Sequence, residues 1–247
     1  MPTAVQCLID DRQAYAVARV VGVLDVKGAN AVRSALIQCL AAQPEAVLID
    51  LSGMRLADPS ALSIFVAVAR QAEQWPAVPL VLCAPQADAA EILRLRSMDR
   101  RLPVLPSLAD AVRSLPLGSA APSVSEDLLP VVGAGRRARE LATEVCFQWD
   151  VPELVGPACT VVTELVNNVV AHANTMMTLR LSLRDRYLHI AVRDGSTDEP
   201  VLRREVSFTS LSGRGLALVD AVSQHWGSLP AEGGKVVWAV LGVAPRR

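Results

Sequence analysis

The chain has 247 residues, of which 51% are apolar and 4% aromatic, and a formal net charge of −1. That length allows one large domain or two of ordinary size, and the composition excludes a disordered chain and calls for a core of Val, Leu and Ala. The near-neutral charge excludes a general attraction to nucleic acid or to an anionic membrane.

Read from the N-terminus, no basic stretch leads into an apolar leader. Ala14 to Val23, Ala46 to Leu51 and Pro79 to Cys83 read as strands. Between and after them, Ala29 to Ala41, Pro59 to Gln74, Ala87 to Ser97 and Leu108 to Leu115 have helical spacing. This alternation predicts a mixed sheet with helices packed on it. The longest apolar run, around Ala61 to Ala69, is too short to span a bilayer. Cys7, Cys39, Cys83, Cys146 and Cys159 are scattered, odd in number and without C-x-x-C spacing, so free thiols in a reducing cytosol are expected. A soluble, cytoplasmic protein follows from these features.

The Pro/Gly/Ser/Ala stretch from Pro116 to Ser123 has no periodicity and reads as a linker. The expected division is a first domain at 1–115, a linker at 116–125 and a second domain at 126–247. In the second domain Val131 to Trp149 and Pro152 to His172 are predicted helices. Met176 to Leu183 and Tyr187 to Arg193 are predicted strands joined by a tight turn at Arg184-Asp185-Arg186. Gly215 to His225 reads as a helix and Lys235 to Val243 as a final strand. Grouped helices with adjoining strands predict an α+β sandwich. The basic clusters Arg94, Arg96, Arg100, Arg101 and Arg136, Arg137, Arg139 read as solvated helix faces.

Three segments carry candidate chemistry. Glu164, Asn168 and His172 recur at i, i+4 and i+8, so they share one stripe of a helix whose other residues are apolar. A carboxylate and an amide at the edge of a buried helix need partners, and a ligand with a hydrated metal would supply them. The competing arrangement is a polar stripe turned to water. Val192-Arg193-Asp194-Gly195-Ser196 is a strand running into an Asp-Gly turn. Ser212-Gly213-Arg214-Gly215-Leu216 enters a helix, where free N–H groups and the helix dipole favour anions. Gly133 to Ala138 fits G-x-G-x-x-A, but Pro130 interrupts the strand a dinucleotide fold would need, and Asp150 precedes a helix. No G-x-x-x-x-G-K-[ST] loop exists, because Val236 follows Gly234-Lys235.

In their order and spacing these segments, with Trp226 and Gly233-Gly234-Lys235 behind them, resemble the GHKL (Bergerat-type) ATP-binding fold of gyrase-type ATPases, Hsp90 and histidine kinases. The likeness is greatest to bacterial anti-sigma factor serine kinases. It implies ATP and Mg²⁺ as cofactors, with Asn168 as the metal ligand and Glu164 positioning or deprotonating an attacking hydroxyl. It further implies Asp194, followed by Gly195, as the adenine anchor. Gly213, Arg214, Gly215 and Leu216 would lie at the phosphates, and His172 would close its helix or touch phosphate. Thr197 to Ser212 would form a lid. The family's Asp-x-Gly-x-Gly reads Asp194-Gly195-Ser196-Thr197-Asp198 here.

Gly22-Val23-Leu24-Asp25, Leu48-Ile49-Asp50-Leu51 and Leu56-Ala57-Asp58-Pro59-Ser60-Ala61-Leu62 resemble the STAS fold of anti-sigma factor antagonists. Pro59 stands where that family carries its phosphorylated Ser, which leaves Ser60 and Ser63 as candidate acceptors. The alternative for Ser60 is a helix-start residue. Together the resemblances imply a partner-switching regulator of transcription. It would act as an anti-sigma factor or as a serine kinase toward a separate STAS antagonist, without direct contact to nucleic acid or membrane; a homodimer is compatible with this. The rival implication is a non-catalytic ATP-binding interaction module, autoinhibited by its own STAS domain.

Overall fold

Two units divide the chain, Met1–Ala120 and Ala121–Arg247. The structure is a computed structural model and describes residues 4–12, 15–98, 102–115, 121–200 and 215–243.

The first unit is built on a sheet of order β1-β2-β3-β5-β6, with β4 also paired to β2. The strands are β1 (Gln6–Arg12), β2 (Tyr15–Leu24), β3 (Val47–Asp50), β4 (Met54–Leu56), β5 (Leu80–Cys83) and β6 (Val104–Leu105). Only the β1–β2 pair is antiparallel, so the sheet is mixed as expected. Every residue of β3 and β5 is buried, which requires cover on both faces. Helix α4 (Leu108–Ser114) supplies one cover, packing Ala111 on Leu48, Val81 and Cys83.

Helix α1 (Val26–Ala41) starts where Asp25 accepts the Gly28 N–H at 2.7 Å, satisfying one of the free donors of the first turn. Helix α2 (Ser63–Gln74) buries Phe65, Val68, Ala69 and Ala72, the i, i+3, i+4, i+7 stripe of a helix with one apolar face. The run from Pro59 expected to be one helix begins as a 3₁₀ turn, Pro59–Leu62. Pro59 occupies its first position and Asp58 caps it. Helix α3 (Ala87–Leu95) completes the unit.

The second unit carries an antiparallel sheet of order β10-β11-β9-β8-β7. Its strands are β7 (Ser123–Leu128), β8 (Met177–Arg184), β9 (Tyr187–Asp194), β10 (His225–Ala231) and β11 (Gly234–Gly242). Alternate residues Leu179 and Leu181, Ile190 and Val192, and Val237 and Ala239 share one core with the helices. Those helices are α5 (Ala134–Gln148), α6 (Val155–Asn168) and α7 (Gly215–Val222).

Further features depart from the expected elements. Ser123 is the first residue of β7, so the expected linker at 116–125 runs into a strand paired with β8. That strand does precede the G-x-G-x-x-A segment, but it is an antiparallel sheet edge, which leaves no parallel β–α–β unit there. The helix expected to reach His225 stops at Val222, and His225 opens β10.

The stretch Pro152–Ala173 is long and apolar enough by length and composition to cross a membrane, unlike the shorter run singled out from the sequence. Its Val161, Val162, Leu165 and Val166 are fully or almost fully buried in the core of the second unit. All five cysteines are free thiols. Burial pushes the Cys39 and Cys83 thiols up to about 12. Of the basic cluster on α5, Arg137 makes a two-pronged pair with Glu126 of β7, both contacts at 2.7 Å, and Arg136 pairs with Glu140. In the other basic cluster Arg94 and Arg96 are exposed, and Arg100 and Arg101 lie outside the described residues.

Candidate functional site

Helix α6 ends in one turn of π-helix, Val169–Ala173, closed by Asn174 in the left-handed region at φ +51°. Asn is among the few non-glycine residues that enter this region readily. The wider turn follows directly on Asn168 and carries His172, which is exposed. Glu164 and Asn168 lie one turn apart and both face the first residue of α7. A Cβ at Gly215 would collide with Glu164 Oε2 and stand 3.7 Å from Asn168 Oδ1. Glycine at 215 therefore lets α7 approach the polar stripe of α6. Asn167 points elsewhere, with its Oδ1 against Gly135 of α5.

Asp194 ends β9 and is only 4% exposed. Its Oδ1 accepts the Ser196 N–H at 2.7 Å and the Lys235 ammonium at 2.9 Å. Lys235 also donates to the Ser196 carbonyl at 3.2 Å. The sheet register sets this pairing, because Lys235 of β11 stands directly opposite Asp194. The approach requires glycine at 234, where a Cβ would overlap the Asp194 carbonyl oxygen and lie 2.9 Å from its carbonyl carbon. Gly195 is held from outside by a 3.0 Å hydrogen bond from its N–H to Thr175 Oγ1.

These elements enclose a cavity of about 290 Å³, near the lower end of the range for ligand pockets. Of the residues singled out from the sequence, Asn168, His172, Asp194, Gly215 and Leu216 line it. Glu164 and Gly195 adjoin these residues but are not part of the lining. Gly213, Arg214 and the lid segment from residue 201 onward lie outside the described residues. Lys235 also lines the cavity, and the sequence pattern assigned it no role. The signal available for it was its place at a strand start behind two glycines.

The residues fit a purine nucleotide with a hydrated metal. Asp194 Oδ2 accepts no hydrogen bond among the described residues, and Leu165, Val169, Val192 and Val237 give the cavity apolar walls. Asn168 offers one amide oxygen, the kind of single hard ligand that Mg²⁺ takes alongside water and phosphate oxygens. No group of three or more His, Cys, Asp or Glu able to hold a metal occurs among the described residues.

The STAS domain family matches residues 9–111, and the histidine kinase-like ATPase domain family matches residues 132–241. The chain joins a STAS domain to a histidine kinase-like ATPase domain. An anti-sigma factor antagonist from Mycobacterium paratuberculosis is 25% identical, covering 44% of this chain and 92% of its own, with a TM-score of 0.40. An anti-sigma-factor antagonist (STAS) domain protein from Planctomyces limnophilus is 19% identical, covering 44% of this chain and 95% of its own, with a TM-score of 0.37. No curated protein matches the chain.

In the STAS domain Ser60 is exposed, and its hydroxyl donates to Asp58 Oδ1 at 2.7 Å. Its N–H donates to the same oxygen at 2.8 Å. These two hydrogen bonds hold the Asp58 carboxyl below its usual range. Ser63 donates its hydroxyl to the Ser60 carbonyl at 2.7 Å.

Proposed function

We infer that the chain is a partner-switching regulator whose ATPase domain binds Mg-ATP and, in that state, engages a sigma factor or a separate STAS antagonist. One observation carries this reading: Asn168, His172, Asp194, Gly215 and Leu216, drawn from three distant segments, line a single cavity. In the reading Asp194 takes the base, Asn168 holds Mg²⁺, and the start of α7 receives phosphate. Bound ATP supplies a transferable phosphoryl group, and Glu164 would orient the hydroxyl of an incoming serine.

A second reading, a non-catalytic module in which nucleotide occupancy controls docking, is favoured by the position of Glu164. Its carboxylate packs on Gly215 outside the cavity lining, where it supports α7. Autoinhibition by the chain's own STAS domain belongs to this second reading, and removal of residues 1–115 would then raise ATP or partner affinity.

Calorimetric titration of the full chain with ATP, with and without Mg²⁺, tests the site. Binding strengthened by Mg²⁺, and lost in Asn168→Ala, is expected. Absence of ATP binding, or unchanged Mg²⁺ dependence in Asn168→Ala, would refute the assignment. Incubation with labelled ATP and candidate STAS proteins then separates kinase from module, since only the kinase leaves label on the partner.

A further inference from the structure

Lys235 is the one Lys or Arg among the described cavity-lining residues, and the nucleotide reading leaves it without a task. Its side chain is 12% exposed beside the 2% exposed side chain of Asp194. An ammonium group carries three N–H donors. One goes to Asp194 Oδ1 and one to the Ser196 carbonyl, and the third has no acceptor among the described residues. Asp194 shows the complementary surplus. Its Oδ1 receives two hydrogen bonds and its Oδ2 none among the described residues. The cavity wall therefore presents a spare acceptor and a spare donor side by side, on neighbouring strands in direct register.

A 6-aminopurine carries the matching pair, an amino donor at C6 with an unprotonated ring nitrogen beside it on each edge, N1 bonded to C6 and N7 one carbon away. A 6-oxopurine carries an acceptor at C6, which would oppose the Asp194 carboxylate. Resting on the nucleotide reading above, we propose that Lys235 is a second base-reading residue, donating to the purine ring nitrogen next to the amino group that Asp194 accepts. Two-point reading also makes the base specificity depend on the Gly233-Gly234 turn, which delivers Lys235 to its register.

The test is calorimetric titration of the full chain with Mg-ATP, Mg-1-deaza-ATP and Mg-7-deaza-ATP. Loss of one hydrogen bond from a charged donor is expected to weaken one of the two analogues about tenfold or more relative to ATP. In Lys235→Met that gap should close to within about threefold, and in Lys235→Arg, which keeps donors, it should persist. Equal affinity of the wild-type chain for all three nucleotides would overturn the proposal, and this arm needs no variant to fold. Tighter ATP binding by Lys235→Met would also overturn it, because Lys235 would then compete with the base for Asp194. If the wild-type chain binds none of the three, the nucleotide reading itself fails and this assignment falls with it.

Discussion

The Asp194–Lys235 pair can be cut from either side, and the structure predicts unequal costs. At 2.9 Å the two charges attract by about 6 kcal/mol at an effective dielectric of about 20, a gain largely offset by removing both from water. Removing one partner of a buried pair leaves the other's desolvation uncompensated, typically at about 3–5 kcal/mol. Asp194→Ala leaves the ammonium with one carbonyl acceptor, at Ser196, and should fall in that range. Lys235→Ala leaves a carboxylate that still accepts the Ser196 N–H and lines a cavity open to water, so about 2 kcal/mol is expected. In the double variant no charge is stranded, so its cost should fall at least about 3 kcal/mol short of the sum of the two single costs.

Hydrogen exchange of peptides covering β9 and β11 in the full chain reads these costs where they arise, independently of the STAS domain. Coupling below about 0.5 kcal/mol would refute the argument, because the two side chains would then act independently. So would a larger cost for Lys235→Ala than for Asp194→Ala.

Two further predictions concern the same domain. Gly234→Ala should cost about 3 kcal/mol, because its Cβ would overlap the Asp194 carbonyl oxygen on the neighbouring strand. Gly233→Ala, at φ +71° with nothing within 4 Å, should cost only about 1 kcal/mol; equal losses in a denaturation comparison would contradict the contact. His189 is 4% exposed, and both ring nitrogens lack a hydrogen-bond partner among the described residues. Burial first, and the Arg184 charge second, lower its pKa from 6.5 to about 4. The unfolded chain then binds the proton more readily, so this stability is complete above about pH 6.5 and is lost as pH falls toward 4. Between pH 7 and pH 5 the loss should be about 2 kcal/mol, and His189→Leu should remove it; an unchanged pH slope in the variant would count against the burial argument.

The helices were legible because their apolar residues repeat at helical spacing on long segments. That spacing placed Glu164 and Asn168 on one stripe, and the neighbouring Asn167 turns toward Gly135 instead. The central strands β8 and β9 were legible from their apolar alternation, and β11 from its continuous apolar run behind a Gly-Gly turn. Strand β7 was not, since only Val124 and Leu128 of its six residues are apolar. Its pairing is supplied by β8 and its anchoring by the Glu126–Arg137 pair, neither of which shows in a local pattern. Strand β10 contains Gly227 and Pro230, which read as breakers but are tolerated at the edge of a sheet. The two-residue β6 and three-residue β4 are too short to show a period.

Lys235 exposes a different limit of local reading. Its partner lies 41 residues earlier in the chain, and only the β9–β11 register makes them neighbours. The same register gives the site its electrostatic character. Asp194, Asp198 and Glu199 line the cavity, and Lys235 is the only Lys or Arg among the described lining residues. With that lysine engaged by Asp194, a free triphosphate would meet a wall whose remaining charges repel it. A divalent cation carried with the phosphates would reverse this balance, and in the proposed reading Asn168 would hold the cation without adding another negative charge. In the proposed nucleotide reading, a neutral amide at 168, where an Asp would bind the metal more strongly, would suit a site that admits a polyanion together with its metal and later releases it.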